Sequence, residues 1–167
     1  MDALLTLRAP EPDDANLLYI WENSTDERHS SLRPGPVSRH RISEYIARYD
    51  GDIIGTGSLR FMIECDGETI GTIDLFDYDH RNRHAFVGIY VTPRSRRKGL
   101  GLKALKQVEN IARRRLSLFA LAALVSADNT PSRALFEAAG FQRAGVLDKW
   151  IADGENRYDA IIYTKAL

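Results

Sequence analysis

The residues best able to do chemistry in this chain lie in one stretch, Val91-Thr92-Pro93-Arg94-Ser95-Arg96-Arg97-Lys98-Gly99-Leu100-Gly101. An apolar run stops at Pro93, and a basic loop with two glycines opens directly into a segment of helical periodicity. The first N–H groups of a helix have no internal partners and sit at the positive end of its dipole. Such an end attracts a phosphate or pyrophosphate. Gly99 and Gly101 carry no side chains to hold an anion away from the backbone. Arg94, Arg96, Arg97 and Lys98 add positive charge around them. Neither the G-x-x-x-x-G-K-[ST] loop of nucleotide triphosphatases nor the dinucleotide G-x-G-x-x-G is present.

Placing such a loop takes a strand before it and a helix after it, and the flanking patterns supply both. Leu5–Arg8 reads as a short strand, and Asp13–Glu22 as a helix carrying Ala15, Leu17, Leu18 and Trp21 at helical spacing. Residues 24–40 read as a loop, Ser43–Tyr49 as a short helix capped by Ser43, and residues 50–57 as a loop. In Leu59–Cys65 the alternation predicts a strand with Leu59, Phe61, Ile63 and Cys65 on its buried face. Asp66-Gly67 is a hairpin turn returning through Ile70–Asp77, and Ala85–Val91 completes an antiparallel meander. From Leu102 the apolar period changes to that of a helix. Phe119–Val125 is a continuous apolar run, read as a central strand covered on both faces. Asn129-Thr130-Pro131 starts a further helix that Gly140 stops, and Phe141–Ile151 with Arg157–Thr164 form a last hairpin. The fold class is α+β, one domain over residues 1–167, with a mixed, mostly antiparallel central sheet flanked by helices.

Composition narrows the classes of partner. The chain has 167 residues, with 23 Lys and Arg against 23 Asp and Glu, so its formal net charge is zero. No bulk positive charge is available to hold nucleic acid. Cys65 stands alone, so neither an intramolecular disulfide nor a cysteine zinc site is expected, and a reducing cytoplasmic setting fits. The start, Met1 to Arg8, does not read as a signal peptide, and no run approaches the roughly 18 apolar residues of a membrane span. His29, His40, His80 and His84 are scattered without metal-ligand spacing, and no G-x-S-x-G elbow occurs.

Two segments carry a family resemblance. Arg96, Gly99 and Gly101 match Q/R-x-x-G-x-G/A, the acyl-CoA-binding motif of the GNAT N-acetyltransferases, after a strand ending Gly88-Ile89-Tyr90-Val91-Thr92-Pro93. Downstream, Asn129 to Phe141 is similar to that family's N-x-x-[AS]-x-x-[LF]-[YF]-x-x-x-G-F segment. Trp150, Asp153-Gly154 and Tyr158-Asp159 most resemble the branch holding spermidine and ribosomal-protein N-terminal acetyltransferases. The resemblance implies that backbone N–H groups across Arg97, Lys98, Gly99, Leu100, Gly101 and Leu102 hold the pyrophosphate of acetyl-CoA. It implies that backbone near Val91 polarises the acetyl carbonyl, and that Asn129 and Ser132 line the pantetheine arm; Asn129 can equally cap its helix. The implied reaction moves acetyl from acetyl-CoA to a primary amine by direct attack. The acceptor is a polyamine-like small molecule or a protein N-terminus, with no nucleic acid, membrane or metal involved. A homo-oligomer stays open.

The chain departs from the family pattern at the two groups that usually move protons. Phe86 stands where many members carry a Glu on the strand before the loop, and Phe136 where many carry a Tyr. Neither ring can transfer a proton. Asp74, Asp77 and Tyr90 are the nearby candidates for that work, with water or a readily deprotonated acceptor as alternatives. A non-catalytic or weakly active acyl-CoA-binding module is the competing expectation, and a protein binding another phosphate ligand at Gly99 is a more distant one. Glu11, Asp13, Asp14, Glu22, Asp26 and Glu27 are acidic residues near the first helix that could attract a cation, or simply form a solvated face.

Overall fold

The computed structural model describes residues 4–24 and 35–167; Asp26, Glu27 and His29 lie outside them. Its strands are β1 (Leu5–Arg8), β2 (Leu59–Cys65), β3 (Glu68–Asp79), β4 (His84–Val91), β5 (Ala120–Ser126), β6 (Gln142–Asp153) and β7 (Asn156–Ala166). Its helices are α1 (Ala15–Glu22), α2 (Arg39–Ala47), α3 (Ile53–Thr56), α4 (Leu100–Arg114) and α5 (Thr130–Ala138). The strands form a 7-stranded sheet in the order β1-β2-β3-β4-β5-β7-β6. Every neighbouring pair is antiparallel except β4 and β5, which run parallel.

Local chemistry explains most of the turns. Asp66 (φ 50°) and Gly67 (φ 83°) both take left-handed conformations, as a two-residue hairpin of matching twist requires. In the β3–β4 turn, the backbone N–H and side-chain amide of Asn82 donate to the Asp79 carboxylate at 2.7 and 2.8 Å. Helix α4 starts at Leu100 and buries Leu100, Ala104, Leu105, Val108 and Ala112; of the apolar positions its periodicity predicts from Leu102 onward, Leu102 and Ile111 are half-buried. With α5 it covers one face of the sheet, over Ile63, Ile73, Leu75, Val87 and Leu121. On the opposite face, α1 and α2 bury Leu18, Ile42 and Ile46 against Met62.

That second core corrects the expected one-sided burial of β2. Met62 and Ile63 are neighbours on opposite faces, and both are fully buried because helices cover β2 from both sides. The reverse correction applies to β5. Phe119 precedes the strand and is exposed, while Leu124 is 37 % exposed, so only Leu121, Ala123 and Val125 enter the core. Helix α2 starts four residues earlier than expected, because Ser38 rather than Ser43 accepts the cap bond, from Arg41 N–H at 3.1 Å. The expected loop 50–57 contains the single-turn α3, capped by the Asp52 side chain.

Strand β1 is tied to the start of α1 by an ionic cluster. Arg8 donates to both oxygens of Asp14 at 2.7 and 2.9 Å, to Glu64 at 2.8 Å and to the Thr69 hydroxyl at 2.8 Å. Asp14 also accepts the Glu11 backbone N–H at 2.8 Å. Burial alone would push the Asp14 carboxyl up, but Arg8 and the backbone donor hold it below its ordinary value. A depressed carboxylate stabilises the fold above its unfolded pKa and loses that contribution as pH falls through the folded value. Urea midpoints measured across the acid range should therefore fall below about pH 4. The Asp14→Asn protein should be less stable at neutral pH and show a shallower acid dependence. Parallel pH profiles for the two proteins would refute this role.

Candidate active site

Strand β4 and the loop after it form the centre of the site. Thr92 N–H donates to Ile70 O at 2.8 Å, which fixes the end of β4 to β3. Pro93–Ser95 then makes one 3-10 turn. Arg96 folds back so that its Nε donates to Val91 O at 2.8 Å. Arg97 (φ 61°) and Gly99 (φ 74°) take left-handed conformations, turning the chain into α4. No side chain caps α4 at Gly99, and Lys103 N–H makes the bond back to Gly99 O. The N–H groups of Leu100, Gly101 and Leu102 thus belong to an uncapped first turn. A Cβ on Gly99 would meet nothing within 4 Å, so the space beside Gly99 is open.

The two loop glycines do different work. Gly101 was expected to let a phosphate approach the backbone, but its missing side chain faces inward. A Cβ there would lie 3.3 Å from Leu135 of α5, so Gly101 lets α4 pack closely on α5. Asn129 and Ser132 meet at the start of α5, where the Asn129 side chain accepts Ser132 N–H at 3.2 Å. Asn129 therefore does cap its helix.

Between these elements the sheet opens. The β4–β5 ladder covers only His84–Phe86 against Ala120–Ala122. Beyond Phe86 the two parallel strands have no paired residues, so the β4 edge from Val87 to Val91 has no strand partner on the β5 side. Such an edge carries backbone groups without a strand partner.

The face of β4 turned toward α1 and α2 carries Phe86, Gly88 and Tyr90, opposite Phe76, Asp74 and Thr72 of β3. Next in the row is Arg60 of β2, opposite Asp74. Its Nε and Nη2 donate to the two Asp74 oxygens at 2.9 and 2.7 Å, and its Nη1 donates to Glu22 at 2.9 Å. Burial would lower the Arg60 pKa, but the two carboxylates raise it, and the guanidinium stays charged. The Tyr45 ring lies 5.7 Å from it. Tyr49 donates its O–H to Arg60 O at 2.6 Å, and burial pushes that phenol up to about 12. Trp21 and Tyr90 have ring centroids 5.5 Å apart.

Sequence patterns named Asp74 and Tyr90 as candidates, but their common face and their partners come from the sheet register and the packing of α1. The Glu22–Arg60–Asp74 bridge has no local signature, since its members lie far apart in the chain. Asp77 sits outside this row. It is exposed in a left-handed bulge (φ 49°) where the β3–β4 register shifts. Phe136 lies in the core, 3 % exposed, with Phe141 at 5.1 Å and Tyr163 stacked at 6.4 Å. The Tyr163 hydroxyl is itself committed to Glu137 at 2.7 Å. Of the acidic residues near the first helix, Asp14 belongs to the Arg8 cluster and Glu22 to the Arg60 bridge. Among the described residues, no three His, Cys, Asp or Glu side chains group together, and no helix is long and apolar enough to cross a membrane.

Comparisons with known proteins agree with this architecture. The family model "Acetyltransferase (GNAT) domain" matches residues 5–142. Spermidine N(1)-acetyltransferase of Escherichia coli (strain K12) is 29% identical over 110 residues, covering 65% of this chain and 59% of that protein. The chain thus spans about three fifths of the length of that relative. A prophage-derived uncharacterized N-acetyltransferase of Bacillus subtilis (strain 168) is 28% identical over 162 residues, 95% of this chain and 88% of its own. Among solved structures, spermidine N-acetyltransferase from Vibrio cholerae in complex with CoA and spermine superposes with a TM-score of 0.85. It is 21% identical, covering 97% of this chain and 95% of that one. RimL, a ribosomal-protein alpha-N-acetyltransferase in complex with coenzyme A, gives 0.87 at 17% identity, covering 98% and 94%. By its matched domain and its fold, the chain belongs to the GNAT acetyltransferase family.

Proposed function

We propose that this protein transfers acetyl from acetyl-CoA to a primary amine by direct attack within a ternary complex. The observation that carries the reading is the uncapped first turn of α4, with open space beside Gly99, following the β4 edge that has no strand partner on the β5 side. Its N–H groups suit a pyrophosphate, with Arg97 and Lys98 adjoining and Arg96 bracing the loop on Val91. Bound acetyl-CoA supplies the acetyl group as an activated thioester. The free β4 edge near Val91 offers backbone N–H groups to the acetyl oxygen, a preorganised stabilisation of developing charge. Asn129 and Ser132, at the start of α5, are assigned to the pantetheine arm in this reading.

The acceptor amine enters from the face of Gly88. A C–N bond forms as the C–S bond breaks; the ammonium loses its proton before attack, and the departing thiolate gains one. Asp74 keeps lone pairs beyond the two used by Arg60, so it can orient the ammonium and pass its proton to water. Tyr90 stands on the same face as the candidate donor to the thiolate. Positioning of the two reactants carries much of the rate in such a site. The relatives' names point to polyamines or protein N-termini as acceptors, and a cytoplasmic setting suits either.

Phe86 and the buried Phe136 favour one competing reading, a module that binds acyl-CoA without turnover. Steady-state thiol release with acetyl-CoA and a panel of amines separates the two. Amine-dependent release is the expected result. Acetyl-CoA binding without release for any amine would establish the module instead.

A further inference from the structure

The turn between β2 and β3 and the loop after β4 enclose a cavity of about 330 Å³. That is many times the roughly 15 Å³ that seats one water, so a small organic molecule fits. Ile70, Ser95 and Leu100 are buried and form its inner part, while Asp66, Glu68 and Lys98 are exposed at its mouth. One buried polar group here is unused. Ser95 is 8 % exposed, and its backbone N–H is committed to Thr92 O at 2.9 Å. Its hydroxyl has no hydrogen-bond partner among the described residues. A hydroxyl at this depth is stabilised by a partner that the chain does not supply.

Charges of both signs face the same space. Asp66 and Glu68 bring carboxylates from the turn, and Lys98 brings an ammonium from the loop. No ion pair joins Lys98 to either carboxylate, and Lys98 has no other partner among the described residues. The cation nearest Glu68 is Arg94 at 3.9 Å, a weak pair between two largely exposed groups. Asp66 keeps lone pairs beyond the one that accepts Leu4 N–H at 3.0 Å. The Cys65 thiol on the cavity wall registers both signs. Burial and Asp66 push it above its ordinary value, while Lys103 and Lys98 pull against them.

An anion alone would meet two carboxylates, and a cation alone would leave Lys98 and Ser95 without an acceptor. A molecule with an ammonium and a carboxylate a few bonds apart satisfies both sides. An aliphatic body on it covers Ile70 and Leu100. From this cavity we infer a binding site for a small apolar α-amino acid that opposes the binding of acetyl-CoA. Its ammonium pairs with Asp66 and Glu68, and its carboxylate with Lys98 and the Ser95 hydroxyl. The site stands on the cavity alone, but the opposition rests on the proposed acetyl transfer. Lys98 adjoins the turn proposed to hold the pyrophosphate, and a bound carboxylate neutralises its charge there. Such coupling is reciprocal, so acetyl-CoA weakens the amino acid by the same factor.

Cys65 is the chain's lone cysteine, so its alkylation by iodoacetamide at about pH 8 reports on this cavity alone. In the protein without acetyl-CoA, saturating L-leucine should slow that alkylation about tenfold, in step with its calorimetric binding. Isoamylamine and isocaproate, each lacking one of leucine's charges, should bind at least about tenfold more weakly. Ser95→Ala should weaken leucine about tenfold with an unchanged Tm, since its hydroxyl holds no partner in the chain. Glu68→Gln should weaken leucine about fivefold and leave acetyl-CoA affinity, measured without leucine, unchanged. Saturating leucine should raise the Kd for acetyl-CoA about fivefold or more. Absence of protection at Cys65, or equal binding of the amine or the acid, overturns the site. Protection with an unchanged Kd for acetyl-CoA overturns the opposition between the two ligands. Selective leucine binding by a protein that binds no acetyl-CoA supports the site and overturns the transfer reading alone.

Discussion

Gly99→Glu should lower acetyl-CoA affinity by at least about 100-fold and lower Tm by roughly 2–8 °C. Two effects combine. Gly99 has φ 74°, a conformation that costs a residue with Cβ about 1–2 kcal/mol. The second effect is larger: the new carboxylate projects into the open space beside Gly99. There it would stand near the site proposed for a pyrophosphate. Like charges about 4 Å apart repel by up to about 4 kcal/mol at a protein surface. Salt reduces that figure, and about 2.8 kcal/mol of it already amounts to 100-fold. Gly99→Ala isolates the backbone effect and should weaken binding by less than about tenfold. Calorimetric titration with acetyl-CoA decides the matter. Unaltered affinity in the glutamate variant would remove the phosphate from this loop, and with it the proposed function.

The second large effect concerns a residue that touches no proposed ligand. Gly71 lies in β3 between Ile63 of β2 and Val91 of β4. A Cβ on it would sit 2.1 Å from Tyr90 O and 3.0 Å from Val91 Cα. Both are backbone atoms, so no rotamer change relieves the contact; the end of β4 itself must move. Overpacking of this kind costs about 1–3 kcal/mol or more. In a chain of this size Gly71→Ala should lower Tm by roughly 5–10 °C. Acetyl-CoA affinity should fall as well, because the displaced segment carries Val91 and the loop anchored by the Thr92–Ile70 bond. A wild-type Tm in the alanine variant, measured by circular dichroism, would show that β4 yields without cost.

How much could be read from the chain alone follows from the range of the interactions involved. The meander, the amphipathic α4, the cap at Asn129 and the stop at Gly140 depend on neighbours a few residues apart. Each was legible in the sequence. So was the loop from Arg96 to Gly101, because a left-handed glycine before an uncapped helix is a local arrangement. Ser43 and Ser38 show where local reading stops. Both are serines near the start of one helix, and apolar positions at Ile42 and Ile46, packed on Met62, select the earlier start.

The acceptor face was decided elsewhere. Glu22, Arg60 and Asp74 are drawn together by sheet register and by the docking of α1, and Trp21 reaches Tyr90 by the same docking. The inward turn of Gly101 depends on Leu135 of a different helix, and the limit on Gly71 depends on the backbone of Tyr90. By itself, then, the sequence determined that a basic, glycine-bearing loop leads into an amphipathic helix. Only the tertiary structure decided what stands opposite that loop. Side-chain pairs across a sheet or between helices have no fixed spacing along the chain, and only packing brings them together.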